Sequence, residues 1–480
     1  MPAVASTRAG GQPAGGASTA AWMHEYRQAR ELFKKGDLTR ALPLFQRVVD
    51  AVPELHDPRR DLASTFYRLG RLTDALREYN EVARRFPDQS EAANNVAGVL
   101  SVMGHQALAF QSVERALALD PGNTAAMNNL AEILKHMGDW QGSRDVYAAA
   151  LSLTPDDAKL RMQYGMALVL LDDWLAGWPA MEAREAVLGT AVLFKEQSKR
   201  PRWTGAEPLD GKQLLIQHEQ GLGDAIMGVR FAKALAARGA VVHMRCPQPL
   251  VEFLSGAEGL SSCTAVGSPM PPHDFHIPLM SLMAALKVTP STLEGSPYLA
   301  PAGPCPPHLE SLLPRDGLPT VALTWSGNPK HINDHRRSMK GELLAPLLST
   351  PGVRFVAMQK DPAMEDVLPE PLRERLIDVG AHCRTFTESA HALSRVDLVI
   401  TVDTAVAHLA GAIGAPTLLC LPFAPDYRWG ATGPRTPWYT SLTVLRQREA
   451  MQWESVIAEA IHHIGTLGPT GRRTHPHATT

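Results

Sequence analysis

Four glycines, Gly36, Gly70, Gly104 and Gly138, fall 34 residues apart in the first third of this chain. Pro53, Pro87, Pro121 and Pro155 keep the same interval, as do Ala29, Ala63, Ala97 and Ala131, and Ala41, Ala75 and Ala109 with Ser143 in the fourth place. Several independent columns at one interval call for a stack of like units, each burying its apolar face against the next. Every column has a mechanical reason. The small residues sit where two helix backbones approach closely and leave no room for a longer side chain. The glycine takes the turn between helices, where a left-handed backbone is often needed. The proline follows the second helix and cannot continue it. Phe45, Tyr79, Val113 and Tyr147 recur at the same interval and fill the space between neighbouring pairs.

This helix–turn–helix pattern resembles the tetratricopeptide repeat over residues 22–155. A degenerate fifth unit follows, with Gly165 and Gly177 on the small-residue columns but Asp172 in place of the turn glycine. Terminal repeats are often atypical because they cap the stack or dock on something else, here the following domain, and the solenoid is expected over residues 21–190. Asn95 and Asn129 share one repeat position. Asparagines on a concave face carry donor and acceptor together and could clamp the amides of an extended peptide; the alternative is that they are ordinary exposed polar positions. Asp61 and Gln163 at the equivalent places keep any such ladder short.

At 480 residues the chain is long enough for two or three domains, and 45% hydrophobic with 20% charged residues is a globular composition. Lys and Arg number 47 against 49 Asp and Glu. No basic excess draws in nucleic acid or an anionic membrane at long range. Five scattered cysteines without CxxC spacing argue against a disulfide framework or zinc site and for a reducing compartment. Residues 1–20 lack the apolar core of a signal peptide, and no apolar run is long enough to span a bilayer. The expectation is a cytoplasmic chain with no membrane span, an unstructured N-terminus (1–20) and an unstructured tail (466–480).

From Lys212 the pattern changes to short apolar runs alternating with helical segments, as in parallel sheets covered on both faces. Gln213–Gln217, Val241–Arg245 and the short edge run Phe275–Pro278 predict one Rossmann-like lobe, residues 201–300, with a helix over Ala225–Arg238. After a proline-rich linker, Tyr298–Pro319, the runs Val321–Trp325, Phe355–Gln359, Leu376–Val379, Leu398–Val402 and Thr417–Leu421 predict a second, residues 320–465. Chemistry collects at the strand ends, where open α/β sheets bind ligands. GLGD (Gly221–Asp224) puts two glycines and a carboxylate at a helix start; capping alone would also explain Asp224. The loop Thr324–Ser338 offers Ser326, Asn328, Lys330, Arg336 and Arg337 toward phosphate, or is a solvated loop. In Val402–Pro416, Asp403 and Thr404 open a helix whose first amides are free to meet an anion, with His408 one turn on. The aromatic stretches DYRWG (Asp426–Gly430) and PWY (Pro437–Tyr439) alone read as packing.

Taken together, GLGD, WSGN with the later Arg-Arg-Ser, DLVITVDTAVAHLAGAIGAPT, and DYRWG…PWY…LRQ resemble the heptosyltransferase-like glycosyltransferases (glycosyltransferase family 9). The likeness covers about Pro201 to Ile464 and is strongest to bacterial proteins that carry tetratricopeptide repeats ahead of such a domain. The resemblance implies a GT-B fold, a nucleotide-sugar donor, no cofactor, and an inverting transfer without a catalytic metal. It implies that Asp224 is the base, that Gly223, Ser326, Asn328, Arg337, Thr404, Ala405 and His408 hold the donor, and that Asp403 orients the loop. Ala405 departs from the glycine often found there, but its N–H remains. His331 and His335 have i, i+4 spacing without a third ligand, so no metal site is expected. A solenoid ahead of the transferase implies a protein or peptide acceptor, with Asn95 and Asn129 as contacts. The rival expectation is a non-catalytic tetratricopeptide scaffold with a degenerate transferase domain.

Overall fold

The computed structural model describes residues 16–189, 198–329, 334–360 and 368–467. Lys330, His331 and all but the edges of the segments 1–20 and 466–480 lie outside them. The first helix begins at Gly16, inside the segment expected to be unstructured.

Eight helices make four antiparallel pairs: α1 Gly16–Lys34 with α2 Leu38–Ala51, α3 His56–Arg68 with α4 Leu72–Arg85, α5 Ser90–Val102 with α6 Gln106–Leu119, and α7 Thr124–Met137 with α8 Trp140–Leu153. The four turn glycines have φ between 75° and 86°, a conformation that strains any residue with a Cβ. After the first three pairs' turns, one bond recurs at 2.9 Å: Asp37 N–H to Leu32 O, Arg71 N–H to Phe66 O and His105 N–H to Leu100 O. This is the six-to-one bond that closes a helix on a left-handed residue. The alanine columns are sealed: Ala29, Ala63, Ala97 and Ala131 are all 0% exposed, as are Ala41, Ala75 and Ala109. Phe45, Tyr79, Val113 and Tyr147 are buried as well, and each such side chain removed from water contributes roughly 1.5–3 kcal/mol.

The compact units divide inside the fourth repeat. Described residues up to Met137, with Asp145–Thr154, form one; Gly138–Arg144 and the chain from Pro155 form the other. The fifth pair, α9 Ala158–Leu170 and α10 Trp174–Met181, therefore clusters with the sheets although its sequence continues the repeat. Its geometry is still that of a repeat. A Cβ on Gly165 would lie 2.9 Å from Gly177 O, and one on Gly177 would lie 2.9 Å from Gly165 O. Asp172 adopts φ +65° in place of the glycine, and Asp173 N–H still reaches Leu168 O at 2.9 Å. Within the second unit, Trp174 stacks on Trp438 with centroids 5.1 Å apart, and Trp178 donates to Val288 O at 3.2 Å. A short helix, α11 Arg184–Leu188, follows.

Among the described residues, the remainder of this unit is built on two parallel sheets. The first has strands β1 Gln213–Gln217, β2 Val241–Cys246, β3 Leu260–Ala265 and β4 Phe275–Pro278 in the order β3-β2-β1-β4. The second has β5 Thr320–Thr324, β6 Arg354–Ala357, β7 Leu376–Asp378, β8 Leu398–Val402, β9 Thr417–Leu421 and β10 Leu442–Arg446 in the order β10-β9-β8-β5-β6-β7. Counted within the second sheet this is 3-2-1-4-5-6, the doubly wound order, whose winding reverses between β5 and β8. Every residue of β5, β8 and β9 is buried, which is why those runs are apolar on both faces. Phe275–Pro278 is indeed an edge strand. Two strands escape the apolar criterion: β3, LSSCTA, is a polar edge, and β10, LTVLR, runs into the LRQ stretch. The helix expected over Ala225–Arg238 is two: α12 Leu222–Gly228, then Phe231–Ala236, broken at Val229 and Arg230. The break lets Arg230 turn its guanidinium to Trp438 O, at 2.8 Å, and over the Tyr298 and Tyr439 rings. The Tyr298–Pro319 segment is packed rather than free. Tyr298 and Leu299 N–H both donate to Ala412 O, and a helix, Pro307–Leu312, buries Leu309.

Candidate functional site

The loop after β1 carries HEQGLGD, and each of its residues from 218 to 221 is fixed. His218 N–H donates to Arg245 O at 3.1 Å. The Glu219 carboxylate is closed to solvent. It accepts Arg184 Nε and Nη2 at 2.9 and 2.7 Å and Met280 N–H at 2.8 Å. Gln220 has φ +68°, a strained backbone for a residue with a side chain. Gly221 is the N-cap of α12, and its N–H donates to Asp224 Oδ2 at 2.9 Å. Capping is thus one of Asp224's tasks. The other oxygen turns to the second sheet's loop, where Arg428 Nη2 donates to Asp224 Oδ1 at 2.6 Å.

Arg428 sits on the turn Tyr427–Trp429 after β9. Its Nη1 donates to Asp426 Oδ1 at 2.8 Å and its Nη2 also reaches Gln220 Oε1 at 3.2 Å. Trp438 Nε1–H donates to Arg428 O at 2.9 Å and holds the turn. The Arg428 and Asp224 side chains are only 11% and 13% exposed.

At the reversal of the second sheet, β8 ends and Thr404 caps α13, Ala405–Ile413; its hydroxyl accepts Val406 N–H at 3.3 Å. Asp403 precedes it. Burial and then the charge of Asp426 push its carboxyl up to about 6, against the opposing pull of the Trp429 indole, Arg337 and Arg428. Arg337 Nη1 donates to Asp403 O at 3.0 Å and its Nε to Asp334 Oδ1 at 3.1 Å. Across the reversal, the loop after β5 is pinned by Gln359, which accepts Trp325 and Ser326 N–H at 3.2 and 3.1 Å and donates to Ser326 O at 3.1 Å. Gly327 N–H donates to Ser338 Oγ at 2.9 Å. A side chain at 327 would collide with Asp334 and Arg337, at 2.5 and 2.6 Å. Ser326 is half-buried and Asn328 exposed.

His408 is 5% exposed. Its Nδ1 shares a hydrogen bond with Tyr439 OH at 2.8 Å, and its ring lies 5.1 Å from that of Trp429, nearly parallel. Gly223 on α12 packs on the other side, where a Cβ would come 2.6 Å from the His408 ring. Burial, then the charges of Arg428 and Arg230, push the imidazole down to about 3, so it is neutral at pH 7. Gly223 and His408 thus meet each other where α12 and α13 pack, while Asp224, Asp403, Thr404, Ala405 and Arg337 stand at the strand ends around them. Asn95 and Asn129 lie in the other compact unit. Asn129 Nδ2 is spent on Asn94 Oδ1, at 2.8 Å, and Asn95 is half-buried.

Sequence reasoning singled out neither Arg428 nor the Arg184–Glu219 pair. Arg428 had a signal, a lone cation in an aromatic stretch that also carries Asp426; Arg184 had none. Among the described residues no three His, Cys, Asp or Glu side chains gather as metal ligands, and no helix is long and apolar enough to cross a membrane.

Residues 26–90 and 60–100 match one tetratricopeptide-repeat family model and residues 105–173 match another. Protein FlbA of Caulobacter vibrioides is 28% identical over 330 residues, covering 61% of this chain and 53% of FlbA. The chain spans about half the length of that curated relative. Among solved structures, the Pseudomonas aeruginosa protein pilF superposes with a TM-score of 0.34 at 15% identity, over 46% of this chain and 87% of pilF. The MamA protein does so at 0.29 and 19%, over 36% of this chain and 92% of MamA. YrrB, a tetratricopeptide protein with an unusual peptide-binding site, gives 0.28 and 15%, over 36% and 93%. The N-terminal region of this chain is a solenoid of tetratricopeptide repeats.

Proposed function

We propose that the paired sheets are an inverting glycosyltransferase of the heptosyltransferase-like GT-B kind. It moves a sugar from a nucleotide-sugar to an acceptor hydroxyl, and the repeats recruit a protein that carries the hydroxyl. One observation carries the reading. The carboxylate of Asp224, at the end of β1 in the first sheet, reaches a loop of the second sheet, beside the winding reversal where doubly wound sheets hold nucleotides.

The acceptor oxygen attacks the anomeric carbon from the face opposite the diphosphate. The new C–O bond forms as the bond to the phosphate oxygen breaks, and the hydroxyl proton passes to the Asp224 carboxylate. Negative charge grows on the departing diphosphate. The first-turn amides of α13, from Ala405, and the guanidinium of Arg337 meet that charge. Thr404 shapes the helix entry and Ser326 lines the facing loop. Asp403 holds Arg337 through its carbonyl rather than offering its carboxylate to a phosphate. His408, neutral and enclosed between Gly223 and Trp429, keeps α12 and α13 in register.

The test is a thermal-shift screen of UDP-, GDP-, ADP- and dTDP-linked sugars, followed by transfer assays. A donor at roughly a hundred times its Kd stabilises the folded chain by about 2.7 kcal/mol, a clear rise in Tm. If no member of the panel moves Tm and none is turned over, the proposal fails.

The scaffold reading has its own support. Both oxygens of Asp224 are already engaged, one by Gly221 and one by Arg428. A chain that binds donor but never transfers or hydrolyses it would decide for the scaffold.

A further inference from the structure

Arg428 is held by two carboxylates at once and lies near a third. Asp224 and Asp426 both bind it, at 2.6 and 2.8 Å, and Asp403 stands near enough to feel its charge. Its Nε is buried with no hydrogen-bond partner, a cost that a differently placed guanidinium would not carry. The turn itself is fixed, because Trp438 and Arg446 hold the carbonyls of Arg428 and Trp429 at 2.9 and 2.7 Å. Any rearrangement is confined to the arginine side chain.

We infer that Arg428 exchanges partners during the reaction: without donor it holds Asp224, and with donor it turns to the diphosphate and releases Asp224 to take the acceptor's proton. The inference rests on the glycosyltransferase reading above. Charge bookkeeping supports it. A diphosphate brings about two negative charges into a site already lined by three carboxyl groups, and a guanidinium bonds phosphate oxygens in the same forked geometry it uses for carboxylates. With Arg428 Nη2 seated on Asp224 Oδ1 at 2.6 Å, that oxygen is not open to an incoming hydroxyl, so the base stays silent until the donor arrives. Donor must then bind before a productive acceptor. Arg428 thus couples donor to acceptor.

The experiment uses the full chain and isothermal titration with inorganic pyrophosphate, UDP, GDP, ADP and dTDP as probes. Asp224→Asn keeps an acceptor for Gly221 N–H but removes the charge that competes for Arg428. It is expected to bind the preferred diphosphate about fivefold tighter than wild type, and Arg428→Gln about tenfold weaker. The double variant is expected to bind no tighter than Arg428→Gln alone. If Arg428→Gln does not fold, Arg428→Lys takes its place, with charge kept and the fork lost; Asp224→Asn should tighten binding on that background too. Should Asp224→Asn bind the diphosphate no tighter than wild type, the exchange is wrong while the transferase reading stands. Should none of these probes bind wild type, the transferase reading falls and the exchange with it.

Discussion

Arg184 and Glu219, 35 residues apart in sequence, form a bidentate ion pair that is closed to solvent, with side chains 2% and 0% exposed. It joins the short helix after the fifth pair to the loop that ends in Asp224. The carboxylate also takes Met280 N–H, and removing Arg184 strands its buried charge, whereas Arg184 without Glu219 keeps Glu182 Oε1 at 2.7 Å. Arg184→Ala is expected to lower the unfolding free energy by about 3–5 kcal/mol, read from urea denaturation of the full chain. Arg184→Met with Glu219→Met should cost much less than the sum of the single changes. Additive losses would show that the pair is not a unit.

Gly223→Ala places a methyl group 2.6 Å from the His408 ring. The ring is held by Tyr439 and Trp429 and has little freedom to retreat. Overpacking of this kind costs about 1–3 kcal/mol, and α12 carries Asp224. Thermal melts should show a lowered Tm, and transfer should fall even at temperatures where the variant stays folded. An unchanged Tm would mean the two helices can part without penalty.

Acid titration separates two buried groups of opposite sign. His408 is held down to about 3 by burial. The unfolded chain takes up that proton as pH falls through about 6.5 and the folded chain does not until about 3, so stability drains away over that window. The loss amounts to roughly 3–5 kcal/mol. Asp403 is raised to about 6, so the folded chain takes its proton first and acidification through 6 relieves a penalty. Melts between pH 4.5 and 7.5 test both. His408→Gln should flatten the acid loss. Asp403→Asn should gain about 1–3 kcal/mol at pH 7.5 and little at pH 4.5. A pH slope identical in all three chains would remove both assignments.

Asp224→Asn should lower kcat for transfer by about 10²–10⁴-fold, the usual contribution of a positioned base, with KM for donor falling rather than rising. Steady-state kinetics with the donor found by thermal shift measure both. Wild-type kcat in the variant would strip Asp224 of its role.

In the solenoid, Asn129 is spent on Asn94 while Asn95 is half-buried. Asn129→Ala is expected to cost about 0.5–1.5 kcal/mol of stability. Asn95→Ala should leave stability within about 0.5 kcal/mol and weaken capture of an acceptor peptide. Peptide titration against both variants checks this; equal loss of binding and stability in the two would erase the distinction.

The solenoid was legible because its constraint is local and repeated. A turn that needs φ near +80° selects glycine, and a helix crossing with no room selects a small residue, in each of the first four repeats. β5, β8 and β9 of the second sheet were legible because every residue of them is buried and the runs are therefore largely apolar. β3 was not, because an edge strand such as LSSCTA carries polar residues without penalty. The break at Val229 and Arg230 was hidden because nothing in the sequence near it forbids helix; the pull comes from Trp438, 208 residues on. Asp224 was recognisable from its glycines, but its partner was not. An ion pair between loops of two different sheets leaves no spacing to read.

The stacking of Trp174 on Trp438 bears on how such a chain can be rebuilt by recombination. Repeats that contact only their neighbours can be added, lost or exchanged with little consequence elsewhere. The fifth pair is inherited differently: it supplies Trp174, Trp178 and, just beyond, Arg184 to the interior of the sheets' own unit. A crossover that replaced residues 158–188 with a consensus repeat would bring in a sound helical hairpin and leave the neighbouring aromatic cluster and Glu219 without their counterparts. The freedom to vary repeat number ends before the fourth, whose Trp140 already meets Phe423, and the fifth pair must travel with the sheets.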